Sequence, residues 1–193
     1  LFRMYKFFSI AFIFIGLSVH AQKANRYDST LKIGKVGYRV SCMNRAKNQN
    51  VLSIKPIGFK NESREVAVDI KAIVTSSEID DLNQDGFPDL IIYIIEPTGK
   101  TNLFCVSSRE NESLQPIYFP DITNDSQLSK GYRGQDEYKL VEGILFRKFP
   151  IYDADTTIKQ PTKKARQIMY RVMVGDRGVL NFKPFRNFEL DID

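Results

Sequence analysis

The sequence predicts an all-β domain, an antiparallel β-sandwich or barrel-like sandwich with short loops and little helix. Three observations lead there. Short runs alternate apolar and polar residues with period two, as in Val66, Val68 and Ile70. Turn-forming glycines and prolines punctuate these runs. No segment combines helix caps with a sustained 3.6-residue repeat.

The 193 residues divide into an export segment, 1–21, and one domain, 22–193. Arg3 and Lys6 precede the apolar run Phe7–Val19, and Ala21 fits the last residue of a signal peptide. The run is too short to cross a bilayer comfortably. The expected mature chain starts near Gln22, is periplasmic or secreted, and has no membrane attachment. Its net charge falls from +5 to near +3 without Arg3 and Lys6, too little to indicate a nucleic-acid partner. His20 is the sole histidine and leaves with the signal. Histidine-dependent triads, Cys–His pairs and histidine metal sites are thereby excluded.

The strands follow in order. Leu31–Met43 reads as two short strands or one bent at Gly37. Asn50–Phe59 alternates around Pro56, which marks an edge or a break. Glu65–Ile79 alternates as a strand. "LIIYIIE" is apolar on both faces, as a central strand requires. Pro97 and Gly99 then turn the chain into "NLFCVSS". Ser126–Gly131 has room for one helical turn. Glu142-Gly143 separates "EYKLV" from "ILFRKFPIY", a hairpin signal, and Gly175–Gly178 separates "RQIMYRVMV" from "VLNFKPF" likewise.

Four places invite chemistry. In "DDLNQDGFPD", Asp81, Asn83 and Asp85 alternate, Gly86 permits a sharp turn, and Asp89 follows. Together with the Phe87 carbonyl these oxygens suit calcium, the one cofactor the sequence suggests. Ile92 occupies the position where an EF-hand needs a bidentate glutamate, so the loop is of a shorter kind. A structural Asx turn and a catalytic carboxylate cluster are the alternatives. "TGKT" (Thr98–Thr101) is no phosphate-binding loop, because Ile94 stands where the motif needs glycine. Cys42 and Cys105, an even pair in an exported chain, favour a disulfide worth ~4 kcal/mol by loop entropy, with two buried thiols as the alternative. Asp136 and Arg147 have the placement to pair across the sheet.

The strings "KVGYRV", "DLNQDGFPDLIIYI", "GYRGQDEYKLVEGILFRKFPIYD" and "ARQIMYRV", in this order between Leu31 and Asn181, resemble the periplasmic inhibitors of invertebrate-type lysozyme. The resemblance implies an exported β-sandwich that occludes the active-site cleft of such a lysozyme, protects peptidoglycan and catalyses nothing. In those inhibitors a Ser-Gly-x-x-Tyr loop enters the cleft and bonds to the enzyme's carboxylates. The matching loop here is Thr98, Gly99, Lys100, Thr101, Asn102. Thr98 supplies the hydroxyl, Gly99 is retained, and Asn102 stands where the tyrosine would be. Lys100 offers a direct charge contact to a carboxylate. The alternative function is a secreted, calcium-stabilised β module with a different protein or glycan partner.

Overall fold

The computed structural model describes residues 25–60 and 64–192. The expected signal segment, with His20 and the cleavage position, lies outside the described residues. Among the described residues, twelve strands form two sheets. The first contains β1 (Tyr27–Ile33), β2 (Val36–Cys42), β3 (Asn50–Ile57) and β4 (Val66–Ile70) in sequential order. The second has eight strands and curls into a nearly closed barrel. They are β5 (Ile73–Asp80), β6 (Asp89–Ile95), β7 (Thr101–Arg109), β8 (Ser113–Tyr118), β9 (Glu137–Val141), β10 (Ile144–Pro150), β11 (Lys164–Val174) and β12 (Leu180–Asp191). Their spatial order is β5-β6-β7-β8-β12-β11-β10-β9. All pairings are antiparallel except a short parallel contact, Leu180–Ile117 and Asn181–Tyr118, which joins the two halves of the sheet. The all-β expectation holds.

β6 explains the arrangement. Its residues Leu90 to Tyr93 are all buried, because alternate side chains enter two different cores. Ile91 and Tyr93 point into the barrel with Leu103, Cys105, Leu145 and Phe182. Leu90 and Ile92 point outward into a second core with Tyr38, Val40, Leu52 and Ile54. The four-stranded sheet therefore packs on the outer face of one half of the barrel.

This alternation corrects the disulfide expectation. Cys42 and Cys105 are free and buried. Cys42 lies in the core between the sheets, whereas Cys105 lies inside the barrel. Strand β7 stands between the two side chains, and a bridge would require it to flip its register by one residue.

Other differences have local causes. The break in Leu31–Met43 falls at Gly34-Lys35, a two-residue turn, not at Gly37. Gly37 sits within β2 where a Cβ would lie 2.0 Å from the Leu31 carbonyl oxygen, so it admits close pairing with β1. Pro56 is inside β3, opposite Tyr38 of β2, but β4 pairs only as far as Ile54. Its missing N–H thus faces a locally unpaired side. Glu65–Ile79 is two strands in different sheets. Asparagines brace the crossing: Asn50 donates to the Ala72 carbonyl at 2.8 Å, and Asn44 exchanges two bonds with the Val74 backbone at 2.8 and 2.9 Å. Among the described residues the short 3-10 turns lie at Ile122–Asn124, capped by Asp121, and at Asp176–Gly178, whereas residues 126–131 form hydrogen-bonded turns. Strand β8, with Pro116 in its middle, carried no clear alternation to announce it.

Glu142-Gly143 makes the expected two-residue hairpin, with φ of +49° and +74°. The Gly143 N–H donates to Asp80 Oδ2 at 2.8 Å, which ties the β9–β10 turn to the end of β5 and helps close the barrel. A Cβ there would stand 2.9 Å from the Asp81 carbonyl oxygen, so both backbone angle and space require glycine.

Candidate functional site

Strand β6 carries a candidate loop at each end. Asp81–Asp89 leads into it and Glu96–Lys100 leads out, so the rigid, doubly buried strand holds the two at opposite ends of the barrel wall.

The entering loop closes on its own amides. The Asp81 carboxylate accepts from Asp85 N and Gly86 N at 3.0 and 2.9 Å. Asp85 accepts from Phe87 N at 2.9 Å and from the Asn83 side-chain amide at 2.8 Å. These are nested Asx turns. Asp89 stands apart from them. It is fully buried and accepts from Leu82 N and Ser108 N, each at 3.0 Å, so it pins the loop to β7. Burial pushes its carboxyl up to about 7, against the opposing pull of the Ser107 hydroxyl and the two amides. Among the described residues no group of three or more acidic, cysteine or histidine side chains converges on a point fit for a metal ion. Of the five calcium ligands the spacing suggests, Asp81, Asn83 and Asp85 share one turn, Phe87 follows it, and Asp89 is spent on the neighbouring backbone.

The leaving loop is a tight turn. Gly99 N donates to the Glu96 carbonyl and Glu96 N to the Lys100 carbonyl, both at 2.9 Å, with Gly99 at φ +85°. Thr98 and Gly99 are exposed at its tip. Lys100 and Asn102 are not presented with them. Lys100 folds back to within 3.6 Å of Asp121, and Asn102 lies within β7, its amide donating to Glu96 at 2.9 Å. In the free chain the Lys100 charge faces the Asp121 carboxylate. Across from the turn, Tyr132, Arg133, Gly134 and Gln135 form the other wall of an open groove of about 500 Å³.

Beneath this end of the barrel lies the Asp136–Arg147 pair. Arg147 Nε donates to Asp136 Oδ1 at 2.6 Å, with 1% and 0% of the two side chains exposed. Tyr132 completes a triangle: its hydroxyl donates to Asp136 at 2.5 Å and accepts from Arg147 at 3.0 Å. The guanidinium sits 5.1–5.8 Å from the ring centroids of Tyr132, Tyr138, Phe119 and Phe149. Burial, then Asp136, hold the Tyr132 hydroxyl above its ordinary range, so it remains a donor. The pairing was legible in sequence, but the aromatic cage was not. Tyr132 and Phe119 come from loops outside the strand pattern. A charged residue at an inward position of "ILFRKFP" was the available signal.

The fold and these loops define a β-sandwich domain that displays short, internally bonded turns from a rigid barrel. No family model matches the chain, and no curated protein is detectably similar to it in sequence.

Proposed function

We propose that the protein is an exported inhibitor that blocks the active-site cleft of an invertebrate-type lysozyme, with the Thr98-Gly99 tip as the inserted element. The supporting observation is the tip itself, an exposed hydroxyl and a glycine on a turn that Glu96 and Asn102 brace from behind. A preformed turn loses little entropy on binding, so its hydroxyl can be spent on an enzyme carboxylate. Arg133 and Gln135 across the groove add polar contacts at the rim. The protein performs no catalysis in this reading, and Lys100 acts by holding the turn through Asp121.

The test is a cell-wall hydrolysis assay with an invertebrate-type lysozyme and micromolar excess of purified protein. Inhibition weakened about tenfold or more by Thr98→Ala supports the reading, in line with a lost charge-assisted hydrogen bond. Absence of inhibition sinks it. Export is checked by the mass of the mature protein, expected to begin at Gln22.

The second reading is a secreted, calcium-stabilised module with another protein or glycan partner. It is favoured by three oxygen-bearing side chains, Asp81, Asn83 and Asp85, wound on a single loop, since each carboxylate oxygen bonded to an amide retains a lone pair. Calorimetry in calcium and in chelator distinguishes it: a midpoint raised by calcium supports the module, and an unchanged midpoint removes the ion.

A further inference from the structure

Among the described residues no other strand layers on the outer face of β9–β12, and only Leu82, Asn83 and Gln84 of the loop entering β6 border it, at its Ile144, Arg171 and Phe185 end. Antiparallel register puts its outward side chains in rows. One row is Glu137, Lys148, Gln167 and Phe188, and the next is Lys139, Phe146, Met169 and Arg186. A third brings Val141 and Ile144 beside Arg171 and Lys183. The bulge opposite Met169 and Tyr170 adds Phe185, whose ring lies 5.3 Å from the Arg171 guanidinium. Glu137 is the one carboxylate in these rows and it faces Lys148 at 3.6 Å. Lys139, Arg171, Lys183 and Arg186 have no carboxylate within 4.0 Å among the described residues. At the edge of the face the β11–β12 hairpin exposes Met173, Val179 and, at 69%, Val174.

Against the expectation from sequence that the mature chain has no membrane attachment, we propose that this face and its hairpin dock on an anionic lipid bilayer. The unpaired cations complement a layer of phosphates, and Met173, Val174 and Val179, which flank the exposed Asp176-Arg177 turn, have the chemistry to reach the acyl boundary while the turn itself stays at headgroup level. Two other occupants fit less well. A second copy of the chain would set the same cations against each other, which like-charge repulsion opposes. A polynucleotide would use the phenylalanines for stacking, but Met173, Val174 and Val179 have no ring to offer it. The surface is distinct from the Thr98 turn, so the inference stands apart from lysozyme inhibition.

Vesicle co-sedimentation of the purified protein tests it, with neutral phosphatidylcholine against a mixture containing about 30% phosphatidylglycerol. Binding to the mixed vesicles alone, reduced by 0.5 M salt, is expected on the order of the behaviour of other basic patches. Neutralising Arg171, Lys183 or Arg186 to Gln should each lower partition roughly fivefold. Val174→Ser with Met173→Ser should lower it several-fold without changing the thermal midpoint. Lys55→Gln, on the other sheet, should leave it unchanged. Equal binding to both vesicle types, or none, overturns the proposal. So does an effect of Lys55→Gln equal to that of Arg171→Gln, since net charge and not this face would then be responsible. Tip variants that bind like the parent, together with full competition by a soluble polyanion such as oligo(dT), would assign the face to polyanions rather than lipid and overturn it equally.

Discussion

The two halves of the eight-stranded sheet enclose one barrel core but differ on the outside. The outward side chains of β6 and β7 include Leu90, Ile92 and Val106, and the four-stranded sheet buries them. Those of β10–β12 mix phenylalanine and methionine with lysine and arginine, and stay open. The inner faces are both mainly apolar, with Asp89 buried on one half and Arg166 and the Arg147–Asp136 pair on the other. What separates the halves is therefore the choice of residue at every second position. A strand apolar on both faces recruits a second layer, and a strand with cations among its outward phenylalanines is left for another kind of partner.

The largest effect should come from the barrel interior. Arg147→Ala strands the Asp136 carboxylate and the Tyr132 hydroxyl in a cage of rings, and should cost about 3–5 kcal/mol in urea unfolding. Replacing Arg147 and Asp136 together by Met and Leu should cost clearly less than the sum of the single changes, because neither variant residue leaves a buried charge unpaired. Additive losses would mean that the pair is not coupled. Next, Ile92→Ala in the core between the sheets should cost about 2–5 kcal/mol, whereas Phe188→Ala on the open half should cost under about 1 kcal/mol. Similar losses at both positions would break the comparison, since Phe188 would then have to be covered.

Asp89 lies where the covered half meets its entering loop, and it should make stability pH-dependent. Its folded carboxyl titrates at about 7, above the ordinary aspartate range. A raised carboxyl favours the folded state while protonated, so its contribution is fully present below about pH 4 and is lost as pH rises through 7. In chelator, the unfolding free energy should therefore fall by on the order of 1–3 kcal/mol from this group between pH 4 and 7. Asp89→Asn should flatten that slope. It should also weaken the fold at low pH, because the side-chain amide cannot accept from both Leu82 N and Ser108 N. A slope unchanged by the substitution would place the titration elsewhere.

Much of this architecture was legible from period and punctuation. The central strand, the Glu142-Gly143 and Gly175–Gly178 hairpins and the Asp136–Arg147 pair follow from alternation and turn chemistry. The crossing at Ile70–Ile73 was hidden, because Asn44 and Asn50, which brace it, are distant in sequence and look like ordinary loop polars. The turn at Pro97–Gly99 was legible, but the internal contacts of the residues that follow it were not. Lys100 and Asn102 are held by Asp121 and Glu96, and pairings between half-buried polar groups leave no periodic trace. The open face of β9–β12 was written in the outward positions of "ILFRKFP", where Phe146 and Lys148 replace the small polar residues common on a solvated strand.

The cysteines test the two-core arrangement with the smallest effect. Cys42 belongs to the core between the sheets and Cys105 to the barrel, so reductant should leave the thermal midpoint unchanged. A disulfide closing that loop would contribute about 4 kcal/mol by chain entropy, and its loss would be plain in the melt. Burial raises the Cys105 thiol far above its ordinary range, so it should resist alkylation at neutral pH in the folded protein. Both thiols should react in denaturant without reductant. A native mass lower by about two protons, or a single denatured thiol population that appears only after reduction, would bring the two residues to one side of β7 and undo the assignment of the cores.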